Sequence, residues 1–300
     1  MWLIRMEFKD KMPTVLLLGV YGFFKEVKPS EPFLTQFLIG SGLCSLNTRI
    51  GNVDGSQMLN LIIAEYKNLT EEAVYGDVYP VWSYSYFALL IPVFLLTDMV
   101  KYKPMIVLEA LSLITTWVIL LWAEGVAWMQ VMQFSYGVAT SMEIAYYTYI
   151  YAKVPKEDYL IVSSLTRSAV LTGKFLTGVL AQLLTSLDLC DYKELNYISL
   201  ACVSMAFVLS WFLPPVKSSV YFHKGEERGE EALETEQHND SVDKVDTGFA
   251  KILSDLRSAY SHSYIVKWSV WVAFSTSAYY QVGNYIQPLW ESILVSKNFK

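Results

Sequence analysis

Residues 131–151 read VMQFSYGVATSMEIAYYTYIY, and this stretch decides the fold. It is apolar and tyrosine-rich over a length that crosses a hydrocarbon core of roughly 30 Å as a helix. Near its middle stands a carboxylate, Glu143. A charge at such a depth costs about 2.5 to 3.5 kcal/mol, a cost that usually marks a substrate or ion site. At about 100° per residue, Gln133, Tyr136, Thr140, Glu143 and Tyr147 project within one narrow sector of the helix, so their polar atoms share a stripe.

The rest of the chain repeats the pattern of long apolar runs. Hydrophobic residues make up 53% of it and mean hydropathy is +0.31, which places it in a lipid bilayer as an all-α polytopic membrane protein. The first run, 13–38, follows a charged start but is too long for a cleaved signal peptide and has no small-residue cleavage pattern, so it reads as a retained span. Further spans read at 81–97, 104–123, 126–151, 159–184, 195–213 and 268–290, about seven in all. The net charge of -6 comes largely from loops, and basic patches with interleaved aromatics are absent, which speaks against a nucleic-acid partner. The three histidines make no metal-ligand spacing. Cys44 and Cys190 fall in loops read as external, where a disulfide is open but unsupported by spacing.

A cytosolic N-terminus puts Arg5, Lys9, Lys11, Lys101, Lys103, Lys153, Lys156, Lys217, Lys224 and Arg228 inside, against Arg49, Lys67 and Lys193 outside. The same topology places the sequon Asn68-Leu69-Thr70 outside, where glycosylation is expected, and the sequon at Asn239 inside, where it would go unused. Three segments follow: a six-span bundle over 1–215, a disordered cytosolic loop over 216–248, too polar to offset its ordering entropy, and 249–300, holding an interfacial helix and the seventh span. Carriers built from repeats place the site between two halves. Six spans, a long loop and one more span therefore read as an N-terminal half plus the first helix of a second, a truncated product.

Other spans carry polar lines of their own. Tyr79, Trp82, Ser83 and Tyr86 offer aromatic faces with polar tips, Glu109, Ser112 and Thr116 form a second line, and Arg167, Lys174 and Gln182 a third. Intramembrane charges tend to pair, so Glu143 or Glu109 with Lys174 or Arg167 is the expected ion pair. The plainer alternative is that these groups only fix helix packing. A carboxylate beside Trp and Tyr faces suits a flat cationic solute, with cation–π contacts of about 0.5 to 2 kcal/mol. Lys174 pulls towards an anion instead.

Several stretches carry a resemblance: Tyr21-Gly22-Phe23-Phe24, Lys28-Pro29-Ser30-Glu31-Pro32-Phe33-Leu34, Tyr79-Pro80-Val81-Trp82-Ser83-Tyr84, Thr97-Asp98, Lys101-Tyr102-Lys103-Pro104, Trp211-Phe212-Leu213-Pro214, and Trp268-Ser269-Val270-Trp271 with Asn284-Tyr285. They closely resemble the reduced folate carrier family of the major facilitator superfamily, which includes reduced folate carriers and thiamine transporters. The resemblance covers nearly the whole chain. The run Glu143-Ile144-Ala145-Tyr146-Tyr147 looks like the thiamine version, since folate carriers of vertebrate type have arginine at the Glu143 position. What the resemblance implies is a family site at Glu31, Tyr79, Trp82, Trp117, Tyr136, Glu143 and Asn284, to which the stripe adds Gln133 and Tyr147 and the polar line of the span 159–184 adds Lys174, and a charged gate at Asp98, Lys101 and Lys103. Gln133 and Lys174 depart from the thiamine pattern and make the site less anionic. Residues 39–66 exceed the family's first outer loop by roughly two dozen residues, and the family's twelve spans exceed the seven read here.

The expected function is uptake of a vitamin, thiamine, at the plasma membrane by alternating access, with reduced folate as the alternative. No bond is made or broken, no cofactor is needed, and the partners are the vitamin and the bilayer. Two other classes stay open, a seven-span receptor with an external N-terminus and a non-transporting fragment.

Overall fold

Two prolines break the first span. Helix α1 (Trp2–Glu26) stops short of the Lys28-Pro29 and Glu31-Pro32 pairs; a 3₁₀ turn (Glu31–Phe33) and a short helix α2 (Leu34–Ile39) follow. Proline lacks the N–H that the ladder needs and biases the residue before it away from helix, so the continuous span expected over 13–38 is two pieces joined by an irregular segment, 27–30. Inside a membrane such a break is stable only if other groups satisfy the freed backbone. Here the Lys28 N–H donates to Thr177 Oγ1 at 2.9 Å and the Ser30 N–H to Ser199 Oγ at 3.1 Å. The Thr177 hydroxyl in turn donates to the Glu26 carbonyl at 2.7 Å.

The computed structural model describes residues 2–39, 67–100, 102–154, 156–187, 189–216, 254, 257–258 and 260–298. After α2 come α3 (Tyr79–Met99), α4 (Lys103–Trp122), α5 (Val126–Lys153), α6 (Tyr159–Ser186) and α7 (Tyr192–Phe212). A π-helical turn (Val74–Val78) leads into α3, so helical structure starts earlier than the span expected at 81–97. Helix α7 opens with a capping box, in which Asp191 and Glu194 satisfy each other's backbone N–H. No strand occurs among the described residues, in keeping with the all-α expectation.

The chain divides into two units, Met1–Glu231 and Ala232–Lys300. In the first, α5 packs between α3 and α4, α4 also packs on α7, and α1 packs on both α6 and α7. Helix α6 buries a single stripe, Val162, Thr166, Val170, Gly173, Thr177 and Ala181, all small or β-branched. Small residues let helix backbones approach closely where lipid offers no hydrophobic drive to associate. A Cβ on Gly173 would stand 2.7 Å from the Phe23 carbonyl oxygen, and one on Gly137 would collide with the Ser85 side chain.

Large apolar side chains face outward as well as inward, and two charged groups lie in the interior. Lys25 and Glu109 are buried, while Phe87, Leu160 and Phe175 are 79%, 83% and 72% exposed. Among the described residues four helices are long and apolar enough to cross a membrane, within Glu71–Thr97, Lys103–Trp122, Tyr159–Ser186 and Tyr192–Phe212. Helix α5 has the length but is more polar, because glutamines, tyrosines and Glu143 interrupt it.

In the second unit the seventh predicted span is α8 (Ser263–Asn298), longer at both ends than the 268–290 expected. The linker reading for 216–248 lies outside the described residues except at Val216, which is buried in the core of the first unit. Most of the predicted interfacial helix and all of 40–66, with Cys44, also lie outside them.

Candidate functional site

The break in the first span does more than end a helix: it buries Lys25, Glu26 and Lys28 around it and sets Glu31, part exposed, beside them. Lys25 Nζ lies 2.6 Å from Glu109 Oε1 on α4 and 3.5 Å from Glu143 Oε1 on α5. The Tyr21 hydroxyl donates to the other oxygen of Glu109 at 3.0 Å, and the Lys25 ammonium stands 4.7 Å above the Tyr146 ring. Glu109 is thus engaged at both oxygens. This arrangement corrects the expected pairing of Glu143 or Glu109 with Lys174 or Arg167: their ion pair comes from α1.

Lys174 and Arg167 are placed differently. Lys174 is exposed, with its ammonium 3.8 Å from Glu26 Oε2. Arg167 donates to the Tyr147 hydroxyl at 2.9 Å, and that hydroxyl donates to Glu143 Oε1 at 3.4 Å, so Arg167 reaches Glu143 through a tyrosine. Both cations lie off the buried stripe of α6, which is why their shared face gave the wrong partners.

A second cluster surrounds Lys28. Its ammonium is 3.1 Å from Glu31 Oε2 and 4.0 Å from Glu26 Oε2, and it sits 5.4 Å and 5.8 Å from the ring centres of Tyr136 and Trp117. The Tyr136 hydroxyl accepts from Lys28 at 3.4 Å and donates to Glu31 Oε1 at 2.6 Å. Trp117 Nε1 donates to Ser30 Oγ at 3.0 Å, and Trp82 Nε1 to Thr140 Oγ1 at 3.2 Å. Ring centres of Trp82 and Trp117 lie 6.0 Å and 6.3 Å from that of Tyr136. Every indole N–H and phenol hydroxyl of this group has a partner, which fixes the rings as walls.

Of the residues singled out from sequence, the structure thus gathers Glu31, Trp82, Trp117 and Tyr136 around Lys28, and Glu143 and Tyr147 beside Lys25. Gln133 is buried on α5 one turn before Tyr136, and Tyr79 bonds Thr35 Oγ1 at 2.6 Å, away from the ion pairs. Lys103 donates to the Trp211 carbonyl at 2.9 Å, at the end of α7; Lys101 and the side chains of Asp98 and Asn284 lie outside the described residues. Asn68 is exposed in a left-handed conformation (φ 49°), beside Thr70, whose hydroxyl caps the next helical turn.

Sequence reasoning missed Lys25, Glu26, Lys28, Thr177 and Ser199. Charges flanking two prolines within an apolar run were the available signal, since discontinuous helices build binding sites at mid-membrane depth.

Lipid-type residues facing outward around aromatic-walled ion pairs define a membrane-embedded helical bundle with a polar interior. The sequence model of the reduced folate carrier matches residues 55–300, and the chain belongs to that family. Mouse thiamine transporter 1 is 39% identical over 323 residues, covering 96% of this chain and 60% of the mouse protein. Human thiamine transporter 2 is 39% identical over 315 residues (93% and 58%), and Caenorhabditis elegans folate transporter 1 is 38% identical over 291 residues (93% and 58%). The chain therefore spans about 60% of the length of such curated relatives.

Proposed function

We propose that this chain forms the solute-holding bundle of a plasma-membrane carrier, N-terminus cytosolic, that takes up thiamine by alternating access. The observation that carries the reading is Glu143: its side chain is 34% exposed where Lys25 and Glu109 beside it are 4% and 2% exposed. It is the accessible member of the Lys25, Glu109 and Glu143 group; around Lys28 that position falls to Glu31, 42% exposed. Within ion-pair distance the site holds four carboxylates, Glu26, Glu31, Glu109 and Glu143, against three ammonium groups, Lys25, Lys28 and Lys174. One negative charge is left over, and it suits a thiazolium cation stacked on the Trp82 and Tyr136 rings. Thiamine transporters among the relatives point the same way.

In this reading solute enters between the halves, Glu143 holds the cation, Trp82, Trp117 and Tyr136 wall the ring, and rocking exposes the site inward. Glu31, Tyr79, Gln133, Tyr147, Lys174 and Asn284 complete the contact set, with Asp98, Lys101 and Lys103 at the inner gate. No covalent step is involved.

Reduced folate is the second reading. It is favoured by the exposed Lys174 and by Arg167, whose guanidinium, counted with the three lysines, brings the site to neutrality. The deciding experiment is uptake of labelled thiamine and labelled folate by cells expressing the full-length protein or its Glu143→Gln variant. Loss of thiamine uptake in the variant at equal surface abundance is the expected result. Unchanged uptake would make Glu143 a packing residue.

A further inference from the structure

We propose that Lys25 is a tethered counter-cation that competes with the incoming organic cation for Glu143, and that Glu109 is the carboxylate that keeps the lysine when the solute takes its place. The proposal rests on the carrier reading above and adds a residue that sets its selectivity.

The geometry is asymmetric in the required sense. Lys25 Nζ is 2.6 Å from Glu109 but 3.5 Å from Glu143. Its bond to Glu109 is supported by Tyr21 on the far oxygen, at 3.0 Å, and the ammonium also has the Tyr146 ring at 4.7 Å. Both contacts of Glu143 Oε1, to Lys25 and to the Tyr147 hydroxyl, are long, at 3.5 Å and 3.4 Å. A cation arriving at Glu143 can therefore displace Lys25 from it without leaving the lysine unpaired. That matters because an uncompensated buried charge is the costly state. Lys25 and Glu109 neutralise each other, and Glu143 supplies the remaining charge.

The consequence is that Lys25 weakens the hold of Glu143 on a cation and eases approach of an anion. Removing lysine and glutamate together leaves no orphan charge and frees Glu143. Removing Glu109 alone drives Lys25 wholly onto Glu143.

The test compares wild type, the double variant K25M/E109Q and the single variant E109Q in the full-length protein, measuring KM for labelled thiamine and surface abundance in the same cells. The double variant is expected to lower KM by up to about fivefold, the upper end for a partly exposed charge pair, and E109Q to raise it by a similar factor. A pair that only supports folding would change surface abundance and maximal rate and leave KM in place. If K25M/E109Q does not reach the surface, E109Q alone carries the test: at matched surface abundance it raises the thiamine KM, and a wild-type value overturns the inference. Thiamine KM values that stay at the wild-type level overturn the inference and leave the carrier reading standing. A wild-type protein that takes up neither vitamin overturns both. If folate alone is carried, the double variant must raise the folate KM, and an unchanged value there also overturns the inference.

Discussion

Lys25 and Glu109, 84 positions apart in the chain, meet at 2.6 Å with side chains only 4% and 2% exposed, and through this contact α1 is locked to α4 in the middle of the bundle. A buried pair of this kind adds little net stability over an apolar pair of equal volume, but breaking it by removing one partner costs about 3 to 5 kcal/mol. Lys25→Met alone is therefore expected to lower the melting temperature of the detergent-purified protein markedly, and K25M/E109Q to recover most of the loss. A double variant as unstable as the sum of the singles would show that the two side chains act independently.

Thr177 is expected to matter as a backbone partner. Its hydroxyl accepts from the Lys28 N–H and donates to the Glu26 carbonyl. Thr177→Val keeps the shape and leaves two buried backbone groups unpaired, a loss of about 1 to 3 kcal/mol for each group. Hydrogen exchange at Lys28 should quicken while the α7 core stays protected. Equal protection in variant and wild type would mean that water replaces the hydroxyl.

Two glycines of α6 are expected to respond in opposite directions. At Gly173 a methyl would press on the Phe23 carbonyl, a backbone atom that cannot swing aside, whereas at Gly178 nothing lies within 4 Å of an added Cβ. Gly173→Ala should destabilise the protein. Gly178→Ala should be neutral or stabilise it by up to about 1 kcal/mol, the helix-propensity difference between the two residues. Thermal unfolding of both variants in one detergent decides it, and equal shifts would rule out close packing of α1 on α6 as the cause.

Tyr136→Phe keeps the ring beside Trp82 and Trp117 but removes the hydroxyl that donates to Glu31. A hydrogen bond to a charged group contributes about 1.5 to 3 kcal/mol. The variant should reach the surface normally, with uptake reduced about tenfold or more. Wild-type uptake by the variant would remove Tyr136 from the site.

Asn68 tests the topology. The side chain is exposed and Thr70 completes the sequon, so treatment with a glycan-removing amidase should shift the mobility of wild type and leave Asn68→Gln unchanged. No shift in wild type would count against an external position for this loop.

Much of this was legible in the chain. The polar stripe of α5 stands out because a helix repeats every 3.6 residues and every apolar neighbour of Glu143 sharpens the contrast. Along the stripe Tyr136 and Thr140 meet Trp82, while Glu143 and Tyr147 meet each other and Arg167 bonds Tyr147. The apolar content of 13–38 suits one continuous span, but Pro29 and Pro32 each remove a ladder donor and split it. The pairing of Glu143 with Lys174 or Arg167 failed for another reason. Periodicity places residues around their own helix and says nothing of which helix stands opposite.

By itself, then, the sequence determined the helices, their lipid-type surfaces and a carboxylate too costly to be incidental, since these follow from local composition and spacing. Tertiary structure alone decided that Lys25 lies against Glu109 and Glu143, that Lys28 stands among Glu31, Tyr136 and Trp117, and that Thr177 and Ser199 close the broken backbone. Such contacts join residues up to 169 positions apart. They exist because helix packing brings α1 between α6 and α7 and α4 beside α5, an arrangement set by the summed fit of whole helix faces and by no single stretch of the chain.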